Sequence, residues 1–285
     1  MDHNSAIDNL PPLRDVINAH NLRAEKKLGQ NFLLDGNITD KIARFAVQSV
    51  GGTLSGHHVI EIGSGPGGLT RSLLKAGAKT VTAVEFDPRA VEALQGLKDA
   101  AEGRLQIIQA DALTLNLLDH VPGPRMIVAN LPYNIATPLL IGWLKQIRAD
   151  MNAYDAMILM FQKEVAQRIV AAPKSKAYGR LSVMAGWICD AKKLFDLPPS
   201  AFTPPPKVTS SIVQFTPKIL GKDAPPFETM ETLLAAAFGQ RRKMIRKSLC
   251  DYENYLRAAQ IDDTLRAEDL CINDFIKLAK LCDVL

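Results

Sequence analysis

The sequence predicts an α/β fold built on a doubly wound, mostly parallel sheet, and three observations carry this prediction. Short runs of β-branched and other apolar residues alternate with segments of helical periodicity. The connections between these segments are short, as they are in strand–helix–strand units. Glycines and polar residues directly follow the strands, and sheets of this class bind ligands at the carboxyl ends of their strands. The residues just after each strand are therefore the first candidates for a functional site.

The individual elements follow from the same patterns. A proline-rich stretch before the last strand reads as an extended connection rather than a helix, so the last pair of strands is expected to be antiparallel and the seven-stranded sheet to be mixed. The predicted strands are 59–62, 81–84, 105–109, 126–129, 156–161, 181–188 and 210–215, and the predicted helices are 37–50, 69–78, 88–97, 138–147 and 163–171.

The composition and the predicted secondary structure of the chain change after Pro217. Residues 218–226 form a polar segment with glycine and prolines, and residues 227–285 have helical character without a strand candidate. We therefore expect an α/β domain over 1–217 and a small all-helical domain over 218–285.

Composition narrows the class of protein. The 285 residues are 47% hydrophobic and 22% charged, which indicates a sizeable core and argues against disorder. The net charge of +4 favours a polyanionic partner only weakly. We find no secretory leader and no apolar run long enough for a membrane span, so a cytoplasmic protein is expected. No CxxC pair or zinc-like spacing occurs, so we expect no metal and interpret the cysteines as core or surface thiols: Cys189, Cys250, Cys271 and Cys282.

A glycine cluster follows the first strand of the predicted sheet. Gly63, Gly65 and Gly68 match the GxGxxG pattern of dinucleotide-binding loops. Glycines let the backbone turn sharply and let a ligand approach closely. The loop contains no lysine, which excludes a Walker A phosphate loop.

Two carboxylates follow the next two strands. Glu85 comes about 20 residues after the glycine loop, where an acid accepts hydrogen bonds from ribose hydroxyls. Asp111 follows the third strand and is placed to bind an adenine amino group. Because a nicotinamide enzyme does not require this second acid, the combination favours an adenosyl ligand without a pyrophosphate, such as S-adenosylmethionine.

The fourth strand ends in Asn130-Leu131-Pro132-Tyr133. Methyl transfer to an exocyclic amine needs acceptors for its N–H groups, and the Asn130 side chain and the Leu131 carbonyl would supply them. Pro132 fixes φ and holds these acceptors in place. Tyr133 offers a ring on which a flipped-out base can stack. We interpret the segment as catalytic rather than as a simple turn.

Five cations cluster in the helical tail. Arg241, Arg242, Lys243, Arg246 and Lys247 lie within two predicted helical turns, which favours a surface that follows RNA phosphates. Lysines elsewhere would extend it: Lys26, Lys27, Lys174, Lys176, Lys192 and Lys193.

Together these segments resemble the rRNA adenine-N6 dimethyltransferases. The resemblance covers the chain from about residue 25 to the end, and it is specific because several motifs occur in the same order. Besides NLPY and the three strand ends before it, the motifs are KLGQNFL from Lys27, FQKEVA from Phe161, YGRLSV from Tyr178, FTPPPKV from Phe202 and FGQRRK from Phe238.

This resemblance implies a Rossmann-like class I methyltransferase with S-adenosylmethionine as cofactor. It further implies a monomer that dimethylates two adjacent adenosines in a hairpin loop near the 3′ end of 16S rRNA, within the 30S particle. Tyr133 and Phe202 would sandwich the target adenine. The residues expected to contact the cofactor are Asn31, Leu33, Gly63, Gly65, Glu85, Asp111 and Asn130.

Three alternatives remain open from the sequence. A 23S-directed methyltransferase of the same family is disfavoured by the full helical tail. A ribosome-assembly factor that only retains the cofactor fold is disfavoured by the intact NLPY segment, although an assembly role can coexist with catalysis. A nicotinamide-dependent dehydrogenase would rest on GxGxxG alone and leaves Asn130 to Tyr133 unexplained.

Overall fold

The strands of the computed structural model, which describes residues 5–25 and 29–283, are mostly buried on both faces. This burial explains why they read as continuous apolar runs in the sequence. They are β1 (Phe32–Leu33), β2 (His58–Ile62), β3 (Thr80–Glu85), β4 (Leu105–Gln109), β5 (Arg125–Ala129), β6 (Ala156–Gln162), β7 (Cys189–Leu197), β8 (Phe202–Thr203) and β9 (Ser210–Pro217).

Helices follow most of the strands and make up the end of the described chain. They are α1 (Ser5–Asp8), α2 (Leu13–Ala19), α3 (Gly36–Ser49), α4 (Gly68–Lys75), α5 (Pro88–Ala93), α6 (Gln95–Ala100), α7 (Tyr133–Ala149), α8 (Lys163–Ile169), α9 (Arg180–Ile188), α10 (Phe227–Gly239), α11 (Ile245–Ser248), α12 (Glu253–Ala258) and α13 (Ile272–Asp283). No helix in the described part of the chain is both long and apolar enough to cross a membrane.

The main sheet has seven strands in the order β4-β3-β2-β5-β6-β9-β7, which confirms the mixed Rossmann-like architecture. The pairs β4/β3, β3/β2, β2/β5 and β5/β6 are parallel, and β6/β9 is antiparallel. The antiparallel pair expected between 181–188 and 210–215 does not form, because 181–188 is helical. The chain builds outward from β2 to β4 and then returns to the other side of β2 with β5. This reversal creates a crevice between β2 and β5, where open sheets of this kind bind ligands.

The chain folds into two compact units. The first contains the described residues of 1–142, 152–163 and 193–216, and the second those of 143–151, 164–192 and 217–285. The first unit packs α3 and α4 on the sheet through a buried apolar cluster that includes Ile42, Leu73 and Ile158. In the second unit α10 packs on α9 and α13, with Trp187 stacked on Phe227. The last crossing of the chain between the units lies at 216/217, while the division into domains 1–217 and 218–285 stays a prediction.

One predicted strand is a helix. Residues 181–188 form most of α9, and the seventh strand is β7, which follows it directly. A short apolar run buried on all sides has no periodicity that separates a helix from a strand, and six of the nine α9 residues are buried. β7 escaped prediction because it lies at the sheet edge and carries charged residues, as exposed edges commonly do.

Pro138 is not a helix start. α7 begins five residues earlier, at Tyr133, and Pro138 lies within it. A proline removes one backbone hydrogen bond from a helix. The buried Leu139 and Leu140 that follow it indicate that packing outweighs this loss. Tyr133 is therefore both the end of the NLPY segment and the first residue of a long helix.

The cysteines divide between core and surface. Cys189 is buried, and burial raises the pKa of its thiol to about 12, so it is a neutral packing residue rather than a nucleophile. Cys250 and Cys271 are exposed and Cys282 is half-buried. The assignment of all four as core or surface thiols agrees with this placement.

Candidate active site

A pocket opens at the carboxyl ends of β2, β3, β4 and β5, within the first unit. Its walls come from residues 29–33, 61–66, 84–86, 110–113 and 130–135, with Gly68 and Leu69. Five segments that are distant in the sequence thus meet at the crevice between β2 and β5. The predicted residues that line it are Asn31, Leu33, Gly63, Gly65, Glu85, Asp111, Asn130, Leu131, Pro132 and Tyr133.

The glycine loop forms the floor of this pocket by adopting backbone conformations that side chains disfavour. Gly63 and Gly65 have φ of +70° and +52°. A Cβ atom on Gly65 would lie 2.9 Å from the ring of Phe32, and one on Gly63 would lie 3.5 Å from Pro132. The loop is therefore a cradle that only glycine leaves open.

Glu85 ties this loop to the end of β3. Its Oε2 accepts a hydrogen bond from the Gly65 N–H at 2.8 Å, and its Oε1 accepts those of Phe86 and Asp87 at 2.9 Å each. Burial raises the pKa of Glu85, and the three N–H donors oppose that shift by stabilising the ionised form. Carboxylate oxygens have further lone pairs, so the fixed carboxylate can also accept ribose hydroxyls.

Asp111 stands at the rim of the pocket. It is exposed, and its Oδ1 accepts the N–H of Leu113 at 2.9 Å. This local turn orients the carboxylate after β4, which is where an adenine amino group was expected to bind.

Asn130 is held as a hydrogen-bond acceptor. Its Nδ2 donates to the backbone carbonyl of Asn31 at 3.0 Å, and Asn31 Nδ2 in turn donates to Gly29 O at 3.3 Å. Because a carbonyl can only accept, the amide of Asn130 must turn its nitrogen towards Asn31 and its Oδ1 elsewhere. The loop around β1 thereby sets the orientation that an acceptor for an amine requires.

Tyr133 is anchored at its hydroxyl. The oxygen lies 2.6 Å from Ser210 Oγ, at the start of β9. The side chain is half-buried, and burial raises the pKa of its phenol, which therefore stays neutral. With both its backbone and its hydroxyl fixed, the ring is a rigid wall of the pocket.

Phe202 does not occupy the predicted position, and this is a correction. It is 3% exposed, pairs with Leu33 across the β1–β8 ladder and belongs to the apolar core. It does not line the pocket. A stacking residue needs an exposed ring face, and in this conformation Phe202 has none. Its role here is to pack the segment that carries Asn31 and Leu33.

Glu61 is a pocket residue that the sequence reasoning missed. It lies within β2 and is 2% exposed, and Thr70 Oγ1 donates to its Oε2 at 2.6 Å. Burial raises its pKa to about 8, and the nearby charge of Glu85 adds to the shift. The signal was available, since Glu61 is an acid inside an otherwise apolar strand next to the glycine loop.

The predicted basic cluster lies in the second unit and is not on one helix, which corrects the expectation. Arg241 to Lys243 form a turn between α10 and α11, and only Arg246 and Lys247 are helical. Arg241 is engaged internally: it donates to Glu268 at 2.9 Å and to the carbonyls of Lys176 and Tyr178 at 2.6 and 2.9 Å. The exposed cations that remain are Arg242, Lys243, Arg246 and Lys247.

Two lysines expected to extend this cluster, Lys26 and Lys27, lie outside the described residues, as does Leu28 of the same motif. Lys174 and Lys176 lie in a segment that is bonded to Glu268 and Arg241. The Lys174 N–H donates to Glu268 O at 2.7 Å, and Arg241 donates to the carbonyl of Lys176. Lys192 and Lys193 lie on the edge strand β7.

The shape and the polar groups of the pocket fit an adenosyl cofactor. The backbone at Gly63 and Gly65 has positive φ, which disfavours side chains, and a Cβ on Gly65 would also collide with the Phe32 ring. Glu85 and Asn130 present oriented oxygens. Ser64 Oγ, which lies in the pocket wall, is buried and has no partner within the described residues, as expected where a polar ligand binds.

Comparisons with known proteins agree with this geometry. A family model described as ribosomal RNA adenine dimethylase matches residues 21–283. A relative from Bradyrhizobium sp. strain BTAi1, named ribosomal RNA small subunit methyltransferase A, is 52% identical over 281 residues, which cover 97% of this chain and 96% of the relative. A similarly named relative from Xanthobacter autotrophicus is 51% identical and covers 96% of this chain and 95% of its own length.

Solved structures show the same architecture. The crystal structure of a dimethyladenosine transferase from Plasmodium falciparum has a TM-score of 0.68 and 27% identity, covering 86% of this chain and 94% of that one. The 23S rRNA methyltransferase ErmE has a TM-score of 0.63 over 88% of this chain and 98% of its own, and at 23% identity it supports the fold alone. The dehydrogenase alternative is thereby excluded. The chain belongs to the ribosomal RNA adenine dimethylase family, and it is an S-adenosylmethionine-dependent methyltransferase.

Proposed function

We propose that this protein transfers methyl groups from S-adenosylmethionine to N6 of two adjacent adenosines near the 3′ end of 16S rRNA, within the 30S particle. The observation that carries the proposal is the orientation of Asn130, whose Oδ1 is made an acceptor by the bond from its Nδ2 to Asn31 O. The names of the relatives, which refer to the small ribosomal subunit, support the choice of RNA.

The proposed chemistry addresses the low nucleophilicity of the adenine amine. Its lone pair is delocalised into the ring, so it is a poor nucleophile until the nitrogen becomes pyramidal. Asn130 Oδ1 and the Leu131 carbonyl accept its two N–H groups and favour that geometry. S-Adenosylmethionine, when bound, supplies a methyl group already activated on a sulfonium. The amine proton can leave to solvent after transfer, so the chain needs no general base.

The remaining pocket residues position the two reactants. Tyr133 offers its ring as a platform for the flipped-out base, and Ser210 holds that ring still. The glycine cradle, Glu85, Asp111, Asn31 and Leu33 surround the adenosyl group. The reacting groups are thereby brought together in the crevice between β2 and β5.

RNA binding is proposed for the helical residues 218–285, with 1–217 as the catalytic domain. Arg242, Lys243, Arg246 and Lys247 present exposed cations that can follow the phosphates of a folded RNA. We place the protein in the cytoplasm, where small ribosomal subunits mature, and expect it to act as a monomer with a role in small-subunit biogenesis.

Two measurements test this proposal. Calorimetry with S-adenosylhomocysteine should give saturable binding, and NAD should give none. Labelled cofactor should then transfer methyl groups to unmethylated 30S particles and not to naked 23S rRNA. Transfer to 23S rRNA alone would favour the 23S-directed alternative. A protein that binds 30S particles and the cofactor but transfers nothing would be an assembly factor.

A further inference from the structure

One charged cluster lies at the edge of the active site and has no part in the chemistry proposed above. Asp196 on β7 binds two ammonium groups: Lys163 Nζ lies 2.8 Å from its Oδ2 and Lys193 Nζ lies 3.0 Å from its Oδ1. Ser211 Oγ also donates to Oδ1, at 2.7 Å. The three charged side chains are partly exposed, between 30% and 44%.

The cluster carries a surplus of positive charge. Hydrogen bonds from Lys163 and Ser211 hold the pKa of Asp196 well below its usual range, so the carboxylate stays ionised. Two ammonium groups against one carboxylate leave a net charge of +1. Each ammonium has three N–H donors, so both partly exposed lysines keep donors beyond the one that binds Asp196.

The position of the cluster is set by the strands that hold Tyr133. Gln162, the last residue of β6, pairs with Ser210, and Lys163 follows Gln162 directly. Ser210 and Ser211 are consecutive and fully buried, so one dipeptide anchors the Tyr133 ring through its first hydroxyl and Asp196 through its second. Because β5 and β6 are parallel neighbours, the cluster lies at the same edge of the sheet as Asn130 to Tyr133.

We propose that Lys163 and Lys193, held together by Asp196, bind a backbone phosphate of the RNA strand that carries the target adenosine. The inference rests on the proposed function, because a base stacked on Tyr133 brings its own sugar–phosphate chain to this edge. Asp196 is a positioning residue: it reduces the freedom of two long side chains and aligns them for one anion.

The test compares two double variants that remove the same charge. Lys163→Gln/Lys193→Gln changes the cluster, and Lys75→Gln/Lys145→Gln changes two other exposed lysines that also pair with carboxylates, Asp8 and Glu228. Binding to unmethylated 30S particles is measured between about 50 and 200 mM salt at constant magnesium. Because the cluster is proposed to bind one phosphate, the cluster variant should reduce the slope of log Kd against log salt by about 1 relative to the control variant.

Kinetics separates a phosphate contact from a structural role. The cluster variant should raise KM for 30S particles while leaving the single-turnover rate at saturation and the affinity for S-adenosylhomocysteine unchanged, and Lys163→Arg/Lys193→Arg should retain the wild-type slope. An unchanged slope and KM would overturn the inference, and so would an effect limited to a lower Tm. Wild-type protein that binds 30S particles without methylating them would instead contradict the proposed function.

Discussion

Asn130 is useful to an adenine methyltransferase only in one of its two amide orientations, and a backbone carbonyl selects that orientation. Its Nδ2 donates to Asn31 O, and we propose that its Oδ1 accepts a hydrogen bond from the incoming amine. Asn130→Ala should therefore slow the single-turnover rate on 30S particles by about 10²- to 10³-fold at saturating cofactor. Asn37→Ala, at the exposed start of α3, is the control and should keep the wild-type rate. An Asn130→Ala enzyme with an unchanged rate would exclude this role.

We propose that Tyr133 contributes its ring, rather than its hydroxyl, to binding of the target base. Tyr133→Phe loses only the contact with Ser210 and should retain most activity. Tyr133→Ala loses the stacking surface, worth about 1–3 kcal/mol, and should raise KM for 30S particles by about 5- to 150-fold. Steady-state kinetics of the two variants makes the comparison. Equal losses in both would mean that the hydroxyl, not the ring, is needed.

Glu61 makes the stability of the ligand-free protein depend on pH. Its folded pKa is raised from 4.5 to about 8, so between these values the folded state holds a proton that the unfolded state has lost. Stability should therefore fall as pH rises through this window, by at most about 1.4 kcal/mol per pH unit. Glu61→Gln keeps an acceptor for Thr70 and should remove this contribution. Urea unfolding at several pH values measures the difference, and parallel curves for both proteins would contradict the assignment.

At the scale of the elements, the loop after β2 illustrates why its glycines are needed. Gly65→Ala puts a methyl group 2.9 Å from the ring of Phe32, and both residues line the pocket. Gly77→Ala is a matched control, since Gly77 also has a positive φ but a Cβ there meets nothing within 4 Å. Both variants should lose similar backbone stability, and only Gly65→Ala should lose affinity for S-adenosylhomocysteine, as measured by calorimetry. Similar losses of affinity in both would show that strain alone is responsible.

The strands that the sequence predicts well are short apolar runs with clear ends. β2 to β6 are short apolar runs that end at glycine or a polar residue, and each was located to within about a residue or two. α9 was not, because a segment buried on all sides carries no periodic signal, and β7 was not, because an edge strand has charged residues. Most of the pocket could be predicted from the residues that follow the strands, because the carboxyl ends of parallel strands meet at one edge of the sheet.

The placement of two side chains could not be predicted from the sequence. Phe202 stands in a motif that suggests stacking, yet its burial depends on the pairing of β1 with β8, which no local pattern encodes. Arg241 reads as one of five equivalent cations, yet it bonds to residues more than 25 positions away in the chain. Long-range contacts of this kind decide whether a residue faces a ligand or supports its neighbours.

At the scale of the whole molecule, the basic cluster contains two kinds of residue. Arg241 bonds to other parts of the protein, whereas Arg242, Lys243, Arg246 and Lys247 are exposed cations. We propose that Arg242 contacts an RNA phosphate, so Arg242→Gln should reduce the slope of log Kd against log salt for 30S particles by about 1. Arg241→Gln should leave that slope nearly unchanged and lower Tm, because it breaks the bonds to Glu268 and to two carbonyls. Salt titrations and thermal unfolding of the same two variants test which arginine contacts the RNA. The reverse pattern would make Arg241 the RNA contact.

We propose that the pocket of the first unit binds the cofactor and the target adenine, and that the exposed cations among residues 218–285 bind the same RNA. The most direct test incubates the protein with unmethylated 30S particles and labelled S-adenosylmethionine and then maps the modified bases. We predict N6-dimethylation of two adjacent adenosines near the 3′ end of 16S rRNA. Label at other bases, or no transfer to 30S particles by a protein that binds the cofactor, would contradict the account.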